Sequence, residues 1–243
     1  MKNRGAAPGD HQLFNKGFAK AFPAMAKSLA NLWEKGYPEE ASLKLTGDQY
    51  NLKWKQRQAL KRSTLSPPYL KYCLKGAQTS TALKKANLTV DGFNLLITLE
   101  TLLGKGPVFQ GLDGCIRDVT GVHGTYKRAF QTSHALDIIS EALNTLNTGK
   151  ANWLLDKPVS NSGKLKALLE DYAHQNNLNW AVSLQDKTDE VLKRSQQIII
   201  SSDKEVLAKG VKWYDLNGFI AFNLTQEKWL ISSLNQRLSS FPF

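Results

Sequence analysis

Three aspartates, Asp91, Asp156 and Asp203, each close a short apolar run: Thr-Val before Asp91, Trp-Leu-Leu before Asp156, and Ile-Ile-Ser-Ser before Asp203. Each run is a predicted strand, and in an open α/β sheet ligands collect beyond the carboxyl ends of the strands. A single aspartate at such a place is an ordinary cap for the helix that follows. Three on neighbouring strands would repel one another in one crevice unless a cation neutralised them. Clustered carboxylate oxygens are the donors that Mg²⁺ or Mn²⁺ requires. The implied chemistry is metal-assisted hydrolysis, in which the ion generates the hydroxide and neutralises charge on a phosphate, so that no histidine base is needed.

Other polar residues cluster around these strand ends. Glu100, Asp113, Arg117 and Asp118 fall between Asp91 and Asp156. Asp113-Gly114 reads as a turn, which leaves Asp118 or Glu100 to complete the acidic set. Glu100, seven residues after Phe93 on a predicted helix, shares the face of Phe93. The segment from Asp156 through Lys157 to Ser160, Asn161, Ser162 and Gly163 joins a strand end to a helix start. Its hydroxyls and N–H groups are expected to hold a phosphate, with a plain capped helix as the alternative. No dinucleotide fingerprint, P-loop or nucleophile elbow is present, and Phe93 stands where a phosphoaspartyl transferase would carry a second aspartate. Cys115, near Arg117, reads either as a thiol of lowered pKa or as inert packing. Two cysteines are too few for a disulfide framework, and the histidines at 11, 123, 134 and 174 show no zinc-site spacing.

Those residues need a scaffold, and the chain supplies it after residue 86. Apolar runs at Asn87 to Asp91, Ala151 to Asp156, Asn179 to Leu184, Gln197 to Ser201 and Val211 to Leu216 alternate with amphipathic stretches, which predicts an α/β domain on a parallel sheet over residues 87–243. Helices are predicted at about 125–146, around 165–172, and at 226–238 behind Thr225 as cap. Residues 1–86 read as a small all-helical domain. Phe14, Phe18, Phe22, Met25, Leu29 and Trp33 recur at helical spacing, with Pro23 expected to kink or divide the stretch. Further helices are predicted from Pro38 to Gly47 and over 53–62, and Ser66-Pro67-Pro68 and 75–85 read as linkers.

Charge divides the chain at the same place. The 243 residues carry a net +11. Residues 1–86 hold 16 Lys/Arg against 5 Asp/Glu, whereas the remainder balances. The excess predicts a module that grips a polyanion, through Lys53, Lys55, Arg57, Lys61 and Arg62, or else a solubilising face. No apolar run approaches the roughly 20 residues of a membrane span, no secretory signal is expected, and two cysteines fit a reduced cytoplasm.

Val90-Asp91-Gly92-Phe93-Asn94 resembles the first strand and turn of PIN-like and NYN-type nuclease domains, in which a strand ends in Asp-Gly-x-Asn. The resemblance implies that Asp91 is a metal ligand and that Asn94 organises the site. Ser201-Ser202-Asp203 resembles a later strand end of those families that supplies another acidic ligand. Together with Gly36-Tyr37-Pro38, Glu100, Asp113-Gly114, Arg117-Asp118 and the stretch from Asp156 to Gly163, the chain is similar to an uncharacterised prokaryotic family. That family pairs a basic helical N-terminal domain with a PIN-like α/β domain of three layers. The expectation is a nuclease dependent on Mg²⁺ or Mn²⁺ that hydrolyses RNA or single-stranded nucleic acid. Asp91, Asp156 and Asp203 would hold the metal, Asp118 or Glu100 would assist, and Asn94, Lys157 and the serines would position water or phosphate. The alternatives are a non-catalytic nucleic-acid-binding protein on the same fold and a small-molecule phosphatase.

Overall fold

The basic N-terminal segment folds as five helices of a computed structural model that describes residues 2–119, 125–225 and 227–234. α1 (Asp10–Leu13) and α2 (Lys16–Glu34) separate at Asn15, whose side chain accepts the backbone N–H of Phe18. The cap sets the break there, and α2 runs on through Pro23 rather than dividing at it. α3 (Glu39–Gln49) opens with two glutamates behind Pro38 and continues past Gly47. α4 (Trp54–Ser63) follows, then α5 (Pro67–Gly76). The Pro67-Pro68 pair expected as a linker opens α5 instead, because the first helical turn needs no intrahelical N–H and proline's φ is already helical.

The rest alternates strand and helix. β1 (Leu88–Asp91) leads into α6 (Gly92–Leu103), followed by β2 (Pro107–Gln110), β3 (Ile116–Arg117), α7 (Thr132–Thr145) and β4 (Ala151–Asp156). Then come α8 (Ser162–Gln175), β5 (Trp180–Gln185), α9 (Thr188–Lys193), β6 (Ile198–Ile200), α10 (Lys204–Leu207), β7 (Trp213–Tyr214), α11 (Leu216–Asn223) and β8 (Trp229–Ser232). Five strands form one parallel sheet in the order β5-β4-β1-β6-β7. The period of two along the strands gives it two apolar faces. Val90, Trp153, Leu155, Ile200 and Tyr214 join α6, α7, α8 and α11 in one core. Leu154, Ile199 and Trp213 join Cys73 of α5, Leu192 of α9 and Val206 of α10 in another. No helix among the described residues is long and apolar enough to cross a membrane.

Two helical expectations are corrected. Residues 229–232, read as part of a last helix, are β8, paired in parallel with β2; β3 lies antiparallel on the other side. Trp229 and Ile231 alternate and fit an open strand edge, while the Thr225 hydroxyl bonds back to the Ala221 carbonyl at 3.0 Å and closes α11 instead of capping a new helix. Residues 226 and 235–238 of that expected helix lie outside the described residues. The helix expected from 125 begins only at Thr132, because Tyr126 donates its N–H to the Ser160 carbonyl at 3.0 Å and its hydroxyl to Glu100 at 2.7 Å. The small sheet carries the N-terminal helices: the ring of Phe109 on β2 stands 5.0 Å from Phe14 and 5.7 Å from Phe22.

α5 ends hard against the main sheet. A Cβ on Gly76 would lie 2.0 Å from the backbone oxygen of Val211, whereas one on Gly163 in α8 meets nothing within 4 Å. Gly76→Ala is therefore expected to lower unfolding free energy by about 2–3 kcal/mol, while Gly163→Ala leaves it unchanged or raises it by up to about 1 kcal/mol. Urea titration of both variants checks the pair. Equal stabilities would mean that α5 does not dock where described.

Candidate functional site

The strand order dictates where a ligand crevice opens. The chain steps from β1 outward through β4 to β5, then returns to lay β6 on the other flank of β1, so the connections diverge beyond the ends of β1 and β6. A crevice of about 660 Å³ lies in this region. Asp91, Asp118, Asp156 and Asp203 line it, together with Asn94. Gly92 allows the first turn of α6 to sit close to β4, since a Cβ there would meet the Leu155 side chain at 2.6 Å.

Asp91 is buried at the end of β1, and its carboxylate accepts the Ser201 hydroxyl at 2.8 Å. Burial pushes its pKa up to about 7; the Ser201 bond opposes this, and the charges of Asp203 and Asp156 add to it. Asn94 takes both donors of Ser202 on its oxygen, the backbone N–H at 2.9 Å and the hydroxyl at 2.8 Å. Asp118 accepts the Thr98 hydroxyl at 2.9 Å, and its carbonyl accepts Arg62 at 3.0 Å. The carboxylate of Asp203 caps α10 through the N–H groups of Glu205 and Val206. Among the described residues no three His, Cys, Asp or Glu side chains stand grouped to hold a metal ion, so the three strand-end aspartates share a crevice without forming a finished coordination set. The donor chemistry nonetheless suits a hard cation: carboxylate oxygens line the crevice around a carboxyl whose ionisation is resisted first by burial and then by the charges of Asp203 and Asp156.

Other expected residues are elsewhere. Glu100 is fully buried away from the crevice, paired with Arg4 and accepting the hydroxyls of Tyr126 and Thr132, so it is a core acceptor. The hydroxyls of the segment after β4 are not aimed into the crevice, which reaches only Pro158 and Val159 there. Ser162 donates to the Lys157 carbonyl at 3.2 Å, Asn161 donates to the Tyr126 carbonyl at 3.0 Å, Ser160 carries the bridge to Thr125, and Lys157 pairs with Asp186 at 3.3 Å. Of the five expected cations, Lys61 and Arg62 line the crevice, bringing α4 onto its wall. Lys55 pairs with buried Asp10 at 2.5 Å and Arg57 with Asp48 at 2.7 Å, while Lys53 is exposed at the start of α4. Burial raises the pKa of Cys115 well above an ordinary thiol, so it is packing and not an activated nucleophile.

The crevice also holds residues that strand-end reasoning passed over. Asp189 in α9 lines it, with its pKa raised by burial and by Asp203. Arg117 lines it while forming a two-pronged pair with Asp113 at 2.7 and 2.5 Å and donating to the Ser202 carbonyl at 2.6 Å. The i, i+4 spacing of Asp113 and Arg117 was the available signal. Asp215, which follows β7, obeys the same strand-end rule as the others; it accepts the Ile116 N–H at 2.8 Å, and burial lifts it to about 7.

Fold and crevice together define a mixed α/β protein whose five-stranded parallel sheet carries an acidic crevice at its switch point. The chain belongs to the family described as domain of unknown function DUF5616, which it matches over residues 80–219. Residues 24–73 match a second family, described as protein of unknown function DUF434. An uncharacterised protein of Methanocaldococcus jannaschii is 26% identical over 182 residues, covering 75% of this chain and 87% of that protein. No solved structure matches the chain.

A buried carboxyl whose pKa is raised in the fold loses ground as pH rises from its unfolded value of about 3.9 to about 7, because over that interval the unfolded chain releases a proton that the folded chain still holds. In a chelator, Asp91→Asn is expected to gain stability relative to the parent across that interval and to keep a constant gain above it. Thermal melts of both proteins from pH 4 to pH 8 read the difference. A pH-independent difference would mean that Asp91 ionises freely in the fold.

Proposed function

We propose that the protein is a metal-dependent nuclease on a PIN-like α/β domain, hydrolysing phosphodiesters of RNA or single-stranded nucleic acid. The observation that carries this reading is the meeting of two opposite charge sets: aspartates from β1, β4 and the β6 end line a single crevice together with Lys61 and Arg62 of α4. Carboxylates alone would repel a phosphodiester, and cations alone would only bind it. Asp91, Asp156 and Asp203 would hold Mg²⁺ or Mn²⁺, which when bound supplies a hydroxide at neutral pH and charge neutralisation at the phosphate. Asn94, with its oxygen taken by Ser202, keeps its NH₂ for a phosphoryl oxygen. Lys61 and Arg62 grip the flanking phosphates. The buried thiols of Cys73 and Cys115, both unpaired, accord with the cytoplasm as the place of action.

One observation favours the second reading, a non-catalytic nucleic-acid-binding protein: Asp203 is already engaged as the cap of α10, and the acidic side chains are not drawn together. The two separate in one experiment on the full chain with single-stranded RNA and Mn²⁺ or Mg²⁺. Hydrolysis should appear, and Asp91→Asn should reduce it by more than about a hundredfold, since loss of an outer partner of a metal ligand already costs about 10–100-fold. No hydrolysis by the parent in either metal favours the binding protein, whereas equal hydrolysis by parent and variant removes Asp91 from the chemistry.

The grip is measured by salt. Lys61→Ala with Arg62→Ala is expected to make the dependence of log affinity on log salt shallower by about 1.4, from about 0.7 per phosphate contact on a single strand. Fluorescence anisotropy across salt concentrations reads it, and an unchanged slope would remove α4 from the interface.

A further inference from the structure

A second cavity of about 500 Å³ adjoins the acidic crevice, and Lys204 and Glu205 line both. Between them stands the Lys61–Glu39 ion pair, 2.6 Å long, with Lys61 on the crevice side and Glu39 on the other. Three aromatic side chains from two helices and a turn border this cavity: Trp33 of α2, Tyr37 beyond it, and Tyr69 of α5. Tyr37 and Tyr69 are 51% and 59% exposed, so neither is held by the core. Lys193, Lys204 and Lys209 complete the wall, and the Lys204 ammonium lies 4.9 Å from the centre of the Trp33 ring.

Scattered exposed tyrosines are ordinary on a protein surface. Here all three aromatics lie in the segment that carries the whole positive excess of the chain, they share one groove with Lys193, Lys204 and Lys209 of the charge-balanced remainder, and the groove opens on a site already lined by Lys61 and Arg62. Two carboxylates also line the groove, Glu39, which Lys61 neutralises, and Glu205, and the three lysines outnumber them. Exposed aromatic faces interleaved with cations match a ligand made of flat π-systems on an anionic backbone. We infer that the groove of Trp33, Tyr37 and Tyr69 stacks the bases of a single-stranded nucleic acid, its lysines following the phosphates, and leads that strand into the acidic crevice.

A duplex does not suit the groove, since its base faces are covered by their neighbours and only its phosphates could reach the lysines. The passage onward into the crevice rests on the nuclease reading above; the stacking itself does not. With the full chain in a chelator, so that nothing is cut, anisotropy of a labelled single-stranded oligouridine is compared with that of an RNA duplex of equal length. Tyr37→Ala with Tyr69→Ala is expected to weaken single-strand binding about tenfold or more, given what stacked bases lose on alanine substitution, while Tyr37→Phe with Tyr69→Phe holds it within about twofold. Both tyrosines are largely exposed, so melting temperatures should match the parent. Unchanged binding by the alanine pair, an equal loss in the phenylalanine pair, or parent affinity for duplex equal to that for single strand overturns the groove. Loss of binding in the alanine pair with no hydrolysis in any metal keeps the groove and discards the nuclease. Hydrolysis with wild-type binding in the alanine pair does the reverse.

Discussion

The guanidinium of Arg117, almost wholly removed from water, joins the two sheets and shapes the loop that borders the crevice. Burial works against its charge, and Asp113 more than offsets this through a two-pronged pair, so the pKa is raised. Its third bond goes to the Ser202 carbonyl, in the turn between β6 and α10. That turn also supplies the donors that orient Asn94 and the residue that caps α10. Asp215 returns the connection from the far edge of the sheet by accepting the Ile116 N–H. Such a charge is expensive to bury and more expensive to strand: removing one partner of a buried pair typically costs about 3–5 kcal/mol. The small sheet, the strand-end turn and the crevice rim therefore hold or loosen together.

Around that fixed point the crevice gathers both signs of charge: Asp91, Asp156 and Asp203 at the strand ends, Asp189 on α9, Lys61 and Arg62 on α4, and Lys204 beside Glu205 on α10, with the Lys61–Glu39 pair along the border with the second cavity. Burial lowers the pKa of Lys204, as do its neighbours Arg117 and Lys61, although Glu39 opposes them, so the positive side of the border is strained as well as the negative. A chain selected for stability alone would bury neither Asp91 nor Asp215, since an ionised carboxyl removed from water and set near others is costly.

The main sheet was legible because its signal is local. Each of its five strands lies in a short apolar run set off by helical stretches, and α4 and the break near Pro38 follow from local composition and spacing. The small sheet was hidden because its strands are short and its pairing is not local: β8 becomes a strand only because β2 offers an edge, and Trp229 with Ile231 satisfies either period. The aspartates at the ends of β1, β4 and β6 were found by position. The destinations of Glu100, Asn161 and Ser162 were not, because a polar side chain's partner is decided in three dimensions; Glu100 meets Arg4 from far along the chain, Asn161 donates to the Tyr126 carbonyl, and Ser162 donates to that of Lys157. The cations behaved likewise. Lys55 and Arg57 face acidic residues that their own segment supplies, which composition counts cannot register.

The pairing of β2 with β8 also constrains how the protein is made. During synthesis α1, α2 and β2 leave the ribosome long before residues 229–232, so one edge of β2 and the rings of Phe14 and Phe109 wait for Trp229 and Ile231. An unpaired strand edge beside exposed aromatic rings is the kind of surface that captures other nascent chains. Closing so distant a contact is slow as well, because the loop entropy must be met before the pairing rewards it. Emergence of residues 229–232, rather than of the N-terminal helices, is thus the moment at which this part of the protein becomes safe from aggregation.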